Sequence, residues 1–195
     1  MKHGIASERH AKKKYLSISK RKHNKLQLKD PGMTIMESYP YISASPDLEI
    51  KCECHGEGVV EIKCPTSIPR GESPSEENYK HLEKHNGIVT LKHSSEYYFQ
   101  IQGQMAVTER EYGDFFVFTF NGGYYLERIV FNKNFWFEML HELSLFWKSF
   151  ILPELLLEKV PRKKRDELTM ENTDVTLVSN ILSAETIRIS FDIEN

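Results

Sequence analysis

Apolar and polar residues change rhythm along this chain, and the changes mark out its elements. From Ile5 to Tyr15 the pattern suits a helix. After a polar passage, Lys29-Asp30-Pro31-Gly32, the period shortens. Tyr41, Ser43 and Ser45 alternate with Ile42, Ala44 and Pro46, which predicts a short strand ending at Asp47. Leu48 to Glu53 reads as the returning strand. Gly56 and Gly58 then supply a turn ahead of a β-branched run, Val59-Val60-Glu61-Ile62-Lys63-Cys64, stopped by Pro65. A loop rich in Ser, Pro and Glu follows over 66–77. Tyr98, Ile101, Met105 and Thr108 recur at helical spacing, so 95–108 is expected to be a helix. Two strands, 114–120 and 124–131, flank a tight Asn121-Gly122-Gly123 turn. The last large element, 134–157, reads as a helix turning Phe135, Met139, Leu143, Phe146 and Trp147 inward, with Pro153 kinking or ending it.

These elements predict an α/β fold: a small mixed sheet with the Glu61 strand central, flanked by the Gln100 helix and the long C-terminal helix. The domain is expected over 1–158, with 159–195 as a polar tail. A hydrophobic fraction of 39% in 195 residues suffices for one core. No apolar run approaches the roughly 18–20 residues that span a bilayer, so no membrane partner is expected. The first residues lack the apolar stretch of a signal peptide, which predicts an intracellular protein, nucleus and cytoplasm not being distinguished.

Charge sharpens the picture. The net charge of −2 hides a basic arm between Arg9 and Lys29 that contains no acid. Lys12, Lys13, Lys14 and Arg21 in this arm are candidate contacts to a polyanion such as DNA. Cys52, Cys54 and Cys64 are odd in number and crowded together, which suits reduced thiols better than a disulfide framework.

The chemistry concentrates around 47–65. Alternation along a strand puts Glu61 and Lys63 on one face, with Val60, Ile62 and Cys64 on the other. Charges in so apolar a strand are costly unless they meet a partner or a metal. Asp47, ending the strand before, can reach the same side. Two carboxylates and the backbone carbonyl of Ile62 suit magnesium, which prefers oxygen ligands and takes few protein carboxylates. Lys63 would hold an attacking water. Glu49-Ile50-Lys51-Cys52 imitates the second motif, and Glu49, sharing alternation with Asp47, is a lesser candidate for the same metal.

Other signals read more plainly. Cys52, Cys54, His55 and Cys64 invite zinc, but they lack the usual C-x₂₋₄-C pair, and Cys64 faces away from Glu61 and Lys63; structural thiols are the preferred reading. His81 and His85, four apart, are expected on an exposed helix. The aromatic residues of 135–150 are read as core, and Pro161-Arg162-Lys163-Lys164-Arg165 as a solvated charge run.

Ser45-Pro46-Asp47, then Val60-Glu61-Ile62-Lys63-Cys64-Pro65, then Tyr97-Tyr98-Phe99-Gln100-Ile101-Gln102-Gly103-Gln104-Met105-Ala106-Val107-Thr108 resemble the YqaJ viral recombinase family, which is related to lambda-type exonucleases. The resemblance spans roughly Gly4 to Leu157 and implies a PD-(D/E)XK restriction-endonuclease-like core. It makes Asp47 and Glu61 the metal-binding acids and Lys63 the catalytic lysine. Gln100 matches a glutamine near the metal or nucleophile, Glu8 an acid of the first motif helix that helps bind metal, and Ser45 a contact to a DNA phosphate. The implied reaction is magnesium-dependent hydrolysis of DNA, from a double-stranded end or along a single strand. One or two ions would serve, and manganese could replace magnesium. Leu48 departs from the glycine that usually follows Ser-Pro-Asp, and the segment ahead of the first motif helix is expected to be largely missing. The alternatives are a catalytically inactive nucleic-acid-binding remnant and an endonuclease acting on RNA or structured DNA. Assembly as a homo-oligomer is left open.

Overall fold

The computed structural model describes residues 2–69, 71–120 and 123–157. Helix α1 (Lys2–Ser19) leads to three short strands, β1 (Gln27–Lys29), β2 (Thr34–Ile35) and β3 (Ser43–Ala44). Strands β4 (Leu48–Cys52) and β5 (Gly56–Lys63) form a hairpin, as do β6 (Leu82–His85) and β7 (Ile88–Leu91). Helix α2 (Glu96–Thr108), strands β8 (Tyr112–Phe118) and β9 (Tyr124–Val130), helix α3 (Lys133–Phe146), a π-helical turn Trp147–Ile151 and helix α4 (Leu152–Leu157) follow. The chain divides into two compact units, Met1–Phe137 and Glu138–Asn195. The main sheet, α1 and α2 all belong to the first. The polar tail expected over 159–195 lies outside the described residues, as do hairpin residues 121 and 122.

The main sheet has the order β1-β4-β5-β8-β9, with β5 central. Its β4–β5 and β8–β9 pairs are antiparallel and β5–β8 is parallel, so the sheet is mixed, as expected. A parallel neighbour needs a crossover, and the connection through β6, β7 and α2 supplies it. Strands β5 and β8 are apolar on both faces because both faces are covered. Val59, Phe115 and Val117 pack with Ile101 and Met105 of α2. Val60, Ile62 and Phe116 pack with Ala11, Tyr15 and Ile18 of α1. Gly113 lets α2 lie close to the sheet, since a Cβ there would stand 2.7 Å from the Ile101 side chain.

Several expectations are corrected. The second sheet face, for which a helix later in the chain was expected, is covered by α1. Helix α1 runs on to Ser19 because Ile18 continues the buried stripe of Ala11 and Tyr15. The strand expected to end at Asp47 is only Ser43–Ala44, which lies between Pro40 and Pro46 and pairs with β2 in a separate two-stranded sheet. The expected His81–His85 helix is instead the start of the β6–β7 hairpin. Its Asn86-Gly87 turn has φ of 49° and 83°, the left-handed pair that a two-residue hairpin turn requires. Leu143 and Phe146, expected inside, are 38% and 54% exposed. The disturbance expected at Pro153 precedes it as the π-helical turn, where the Leu152 amide bonds the Trp147 carbonyl. A turn one residue wider gives room to a proline ring that would crowd the preceding turn of an α-helix. No helix among the described residues is long and apolar enough to cross a membrane.

Candidate active site

The site arises where β5 outruns β4. The last register pair between them is Leu48 with Val60, so the next outward-facing amide of β5, that of Ile62, has no strand partner on that side. The carboxylate of Asp47, in the bend leading into β4, takes its place: Oδ2 accepts the Ile62 N–H at 2.7 Å. The Ile62 carbonyl points to the same side as its amide, as strand geometry requires. Asp47 therefore sits where a strand would have continued, beside the last turn of the β5 ribbon.

Glu61 and Lys63 project from the α2 face of β5. Glu61 is 2% exposed. Its Oε1 accepts from Lys63 Nζ at 2.5 Å, and its Oε2 from Gln104 Nε2 at 2.6 Å. Lys63 also donates to Gln100 Oε1 at 3.0 Å and lies 4.4 Å above the Tyr97 ring. Ser95 caps α2 by accepting the Tyr97 amide, which fixes where the helix starts. Tyr97, Gln100 and Gln104 then fall on one helix face, next to the Ile101 and Met105 stripe that meets the core. Expected residues Asp47, Glu61, Lys63 and Gln100 are thus gathered. Gln104 and Tyr97 were missed, although the spacing of Gln104 four residues after Gln100 was the available signal. Gln104 leaves its Oε1 buried with no hydrogen-bond partner among the described residues.

The electrostatics are those of crowded anions. Burial, then the Glu61 charge, push Asp47 up to about 6, partly opposed by the Ile62 amide; Glu8 raises it further and Lys63 lowers it. Burial, with Glu8 and Asp47 adding to it, pushes the Cys64 thiol up to about 11. A carboxyl raised in the folded state holds its proton more firmly there than in the unfolded chain. Its stabilising contribution is full below the ordinary 3.8 and is lost as pH rises through about 6. In metal-free protein the unfolding free energy should therefore fall by on the order of 3 kcal/mol across that window. Urea unfolding in chelator from about pH 4 to about pH 7 checks this, and Asp47→Asn should flatten the slope.

The remaining candidates lie around this centre. Glu8 is near enough to act on Asp47 and Cys64, and it pairs with Lys12 at 3.0 Å. Lys12 also holds Asp30 at 2.6 Å, so its charge is already engaged. Ser45 is exposed two residues before Asp47, and Lys13, Lys14 and Arg21 are exposed on and just after α1. Glu49 pairs instead with Lys29 on β1, at 3.6 Å; Asp47 is not in the strand, so the alternation that linked the two does not apply. His81 is buried, its Nδ1 3.0 Å from Ser95 Oγ, and supports the α2 cap.

Among family models, the one described as the YqaJ-like viral recombinase domain matches residues 1–111. No curated protein matches the sequence. Of solved structures, an alkaline exonuclease (LHK-Exo) from Laribacter hongkongensis is similar with a TM-score of 0.59 and 23% identity, over 80% of this chain and 70% of that one. LHK-Exo in complex with dAMP is similar with a TM-score of 0.60 and 24% identity, over 82% and 72%. These likenesses speak for the fold.

Proposed function

This chain belongs to the YqaJ-like viral recombinase family, and we propose that it is a magnesium-dependent DNA exonuclease whose centre is Asp47, Glu61 and Lys63. The observation that carries this reading is the crowding of buried anions at the site: burial and then the Glu61 charge hold Asp47 near 6, against the Ile62 amide and the Lys63 ammonium. A hard dication relieves that repulsion, and the donors present are all oxygens: the two carboxylates, the Ile62 carbonyl and, within electrostatic reach, Glu8. When bound, magnesium, or manganese in its place, as one or two ions, supplies Lewis-acid polarisation of the phosphodiester and neutralises developing charge.

The protein's own residues do the rest. Lys63 orients the attacking water and offsets negative charge as the phosphodiester is attacked. Gln100 and the Tyr97 ring hold that ammonium against solvent, the ring by its electron-rich face. Gln104 fixes one oxygen of Glu61 and so sets the direction of the other. Ser45, next to Asp47, contacts a backbone phosphate of the DNA. Lys13, Lys14 and Arg21, with Lys12 once freed from its acids, follow the phosphates without reading sequence. The dAMP bound to the similar LHK-Exo supports a mononucleotide as product.

End-labelled linear duplex and covalently closed circular duplex, each with magnesium or with EDTA, test the proposal. Mononucleotides should appear from the linear substrate with magnesium alone, while circles stay intact. Cut circles would turn the reading into an endonuclease. Salt-sensitive DNA binding with no product in any metal would leave a silent binding module.

A further inference from the structure

A second metal-ligating cluster lies apart from the acidic centre. The described residues bring His23, Cys52, Cys54 and His55 together, with one ligand atom from each within 4.8 Å of all the others. His23 stands in the turn after α1, Cys52 ends β4, and Cys54 and His55 lie in the tight turn to β5. We propose that these four side chains bind a structural zinc ion.

The six distances among the four atoms carry the argument. The two sulfurs are 3.4 Å apart and the two Nδ1 atoms 3.2 Å apart. The four sulfur–nitrogen distances are 3.1, 3.3, 3.5 and 3.8 Å. A zinc tetrahedron with Zn–S of about 2.3 Å and Zn–N of about 2.05 Å has edges of about 3.8 Å between sulfurs, about 3.6 Å for mixed pairs and about 3.4 Å between nitrogens. Every observed edge lies within about 0.5 Å of that solid. Hydrogen bonding cannot explain it: two thiols and two imidazole Nδ1 positions hold at most four protons for six mutual contacts. A cation at the centre satisfies all six. Two thiolates and two imidazoles select zinc over magnesium, so the ion differs in kind from that of the acidic centre.

The surroundings suit such a site. The three cysteines are free thiols, and Cys64, which the sequence had grouped with the other two, is not in the cluster. The Asn24 backbone hydrogen bonds the Cys54 sulfur, and the Glu53 amide donates to the Asn24 carbonyl at 3.1 Å, so both ligand-bearing turns are already tied. Cys54 and His55 are exposed, giving an ion access, while Cys52 is 4% exposed. Four protein ligands leave no open position, which makes the role structural. The ion would fasten the end of α1, and the basic Lys20-Arg21-Lys22 run beside it, to the β4–β5 turn. The first signal was readable as Cys52-x-Cys54-His55; the fourth ligand, 29 residues earlier, was not.

The test uses the full chain, stripped of metal under reducing conditions and titrated with cobalt(II). The thiolate charge-transfer band and the strong visible bands of tetrahedral cobalt should saturate at one ion per chain, and zinc should abolish them while magnesium should not. Cys54→Ser and His23→Ala should each weaken cobalt binding by more than about a hundredfold. Cys64→Ser and Glu61→Gln should leave the thiolate–cobalt band and its affinity unchanged, which separates this site from the acidic centre. If the ligand variants do not fold, alkylation of the wild type decides: zinc should protect Cys52 and Cys54 together and not Cys64. An octahedral spectrum, equal loss in Cys64→Ser, or unprotected Cys52 and Cys54 would overturn the assignment.

Discussion

In a Glu61→Gln variant, nucleotide release from linear DNA should fall by about a thousandfold or more, while the metal-free protein stays folded. The substitution keeps the volume and one acceptor oxygen of a side chain that is 2% exposed. It removes the charge that Lys63 neutralises and that helps to raise Asp47. With that repulsion gone, stability in chelator should hold or rise at neutral pH, even as activity disappears. Alanine at 61 is a poorer test, because it strands the Gln104 amide and the Lys63 ammonium beside a cavity. Lys63→Ala should cause a similar loss of cleavage by a different route. Its two carboxylates remain, so added magnesium should still raise its melting temperature at about pH 8, whereas Glu61→Gln should lose most of that gain. Retained cleavage in either variant would count against the centre. So would a magnesium response that survives in Glu61→Gln undiminished.

How much of this was legible in the sequence depends on the range of the contacts involved. The Glu61–Lys63 pairing follows from strand alternation two residues apart, and it stands in the structure as read. The α2 helix and the β8–β9 hairpin also follow from local period and turn chemistry. Asp47 reaches β5 by another route than the one expected: it does not end a strand but replaces one, accepting the Ile62 amide where β4 has stopped. That depends on the relative lengths of two strands, which no local pattern encodes. The Asn86-Gly87 turn was a readable hairpin signal, overshadowed by two histidines at helical spacing. The cover of the second sheet face by α1 rests on Ala11, Tyr15 and Ile18 meeting residues of β4, β5 and β8, contacts far apart in sequence. His23 joins Cys52 by the same kind of distant closure.

The largest stability effect is expected at a residue that the sequence did not mark. Asp114, on β8, is 3% exposed and binds Arg128 through two bonds, Nε to Oδ1 at 2.8 Å and Nη2 to Oδ2 at 3.1 Å. It also accepts from Tyr15 of α1 at 2.7 Å, and the Arg128 guanidinium lies 4.0 Å over the Tyr112 ring. Burial, then the Asp114 charge, push the Tyr15 phenol well above its ordinary value, so it stays a donor at every working pH. Asp114→Ala should cost about 3–5 kcal/mol, because it leaves a fully buried hydroxyl and a partly buried guanidinium without their acceptor. Asp114→Asn keeps an acceptor for Tyr15 but not the charge for Arg128, and should cost about half as much. Tyr15→Phe should cost only about 1 kcal/mol in the wild type and still less in the Asp114→Ala background, since the two changes remove the same bond. Urea unfolding of the four proteins measures the cycle. A loss below about 1 kcal/mol in Asp114→Ala would show that α1 is held to the sheet by its apolar face alone. The expected loss is about a fifth or more of the stability of an ordinary domain, and it would loosen the helix that brings Glu8 toward Asp47 without touching either acid.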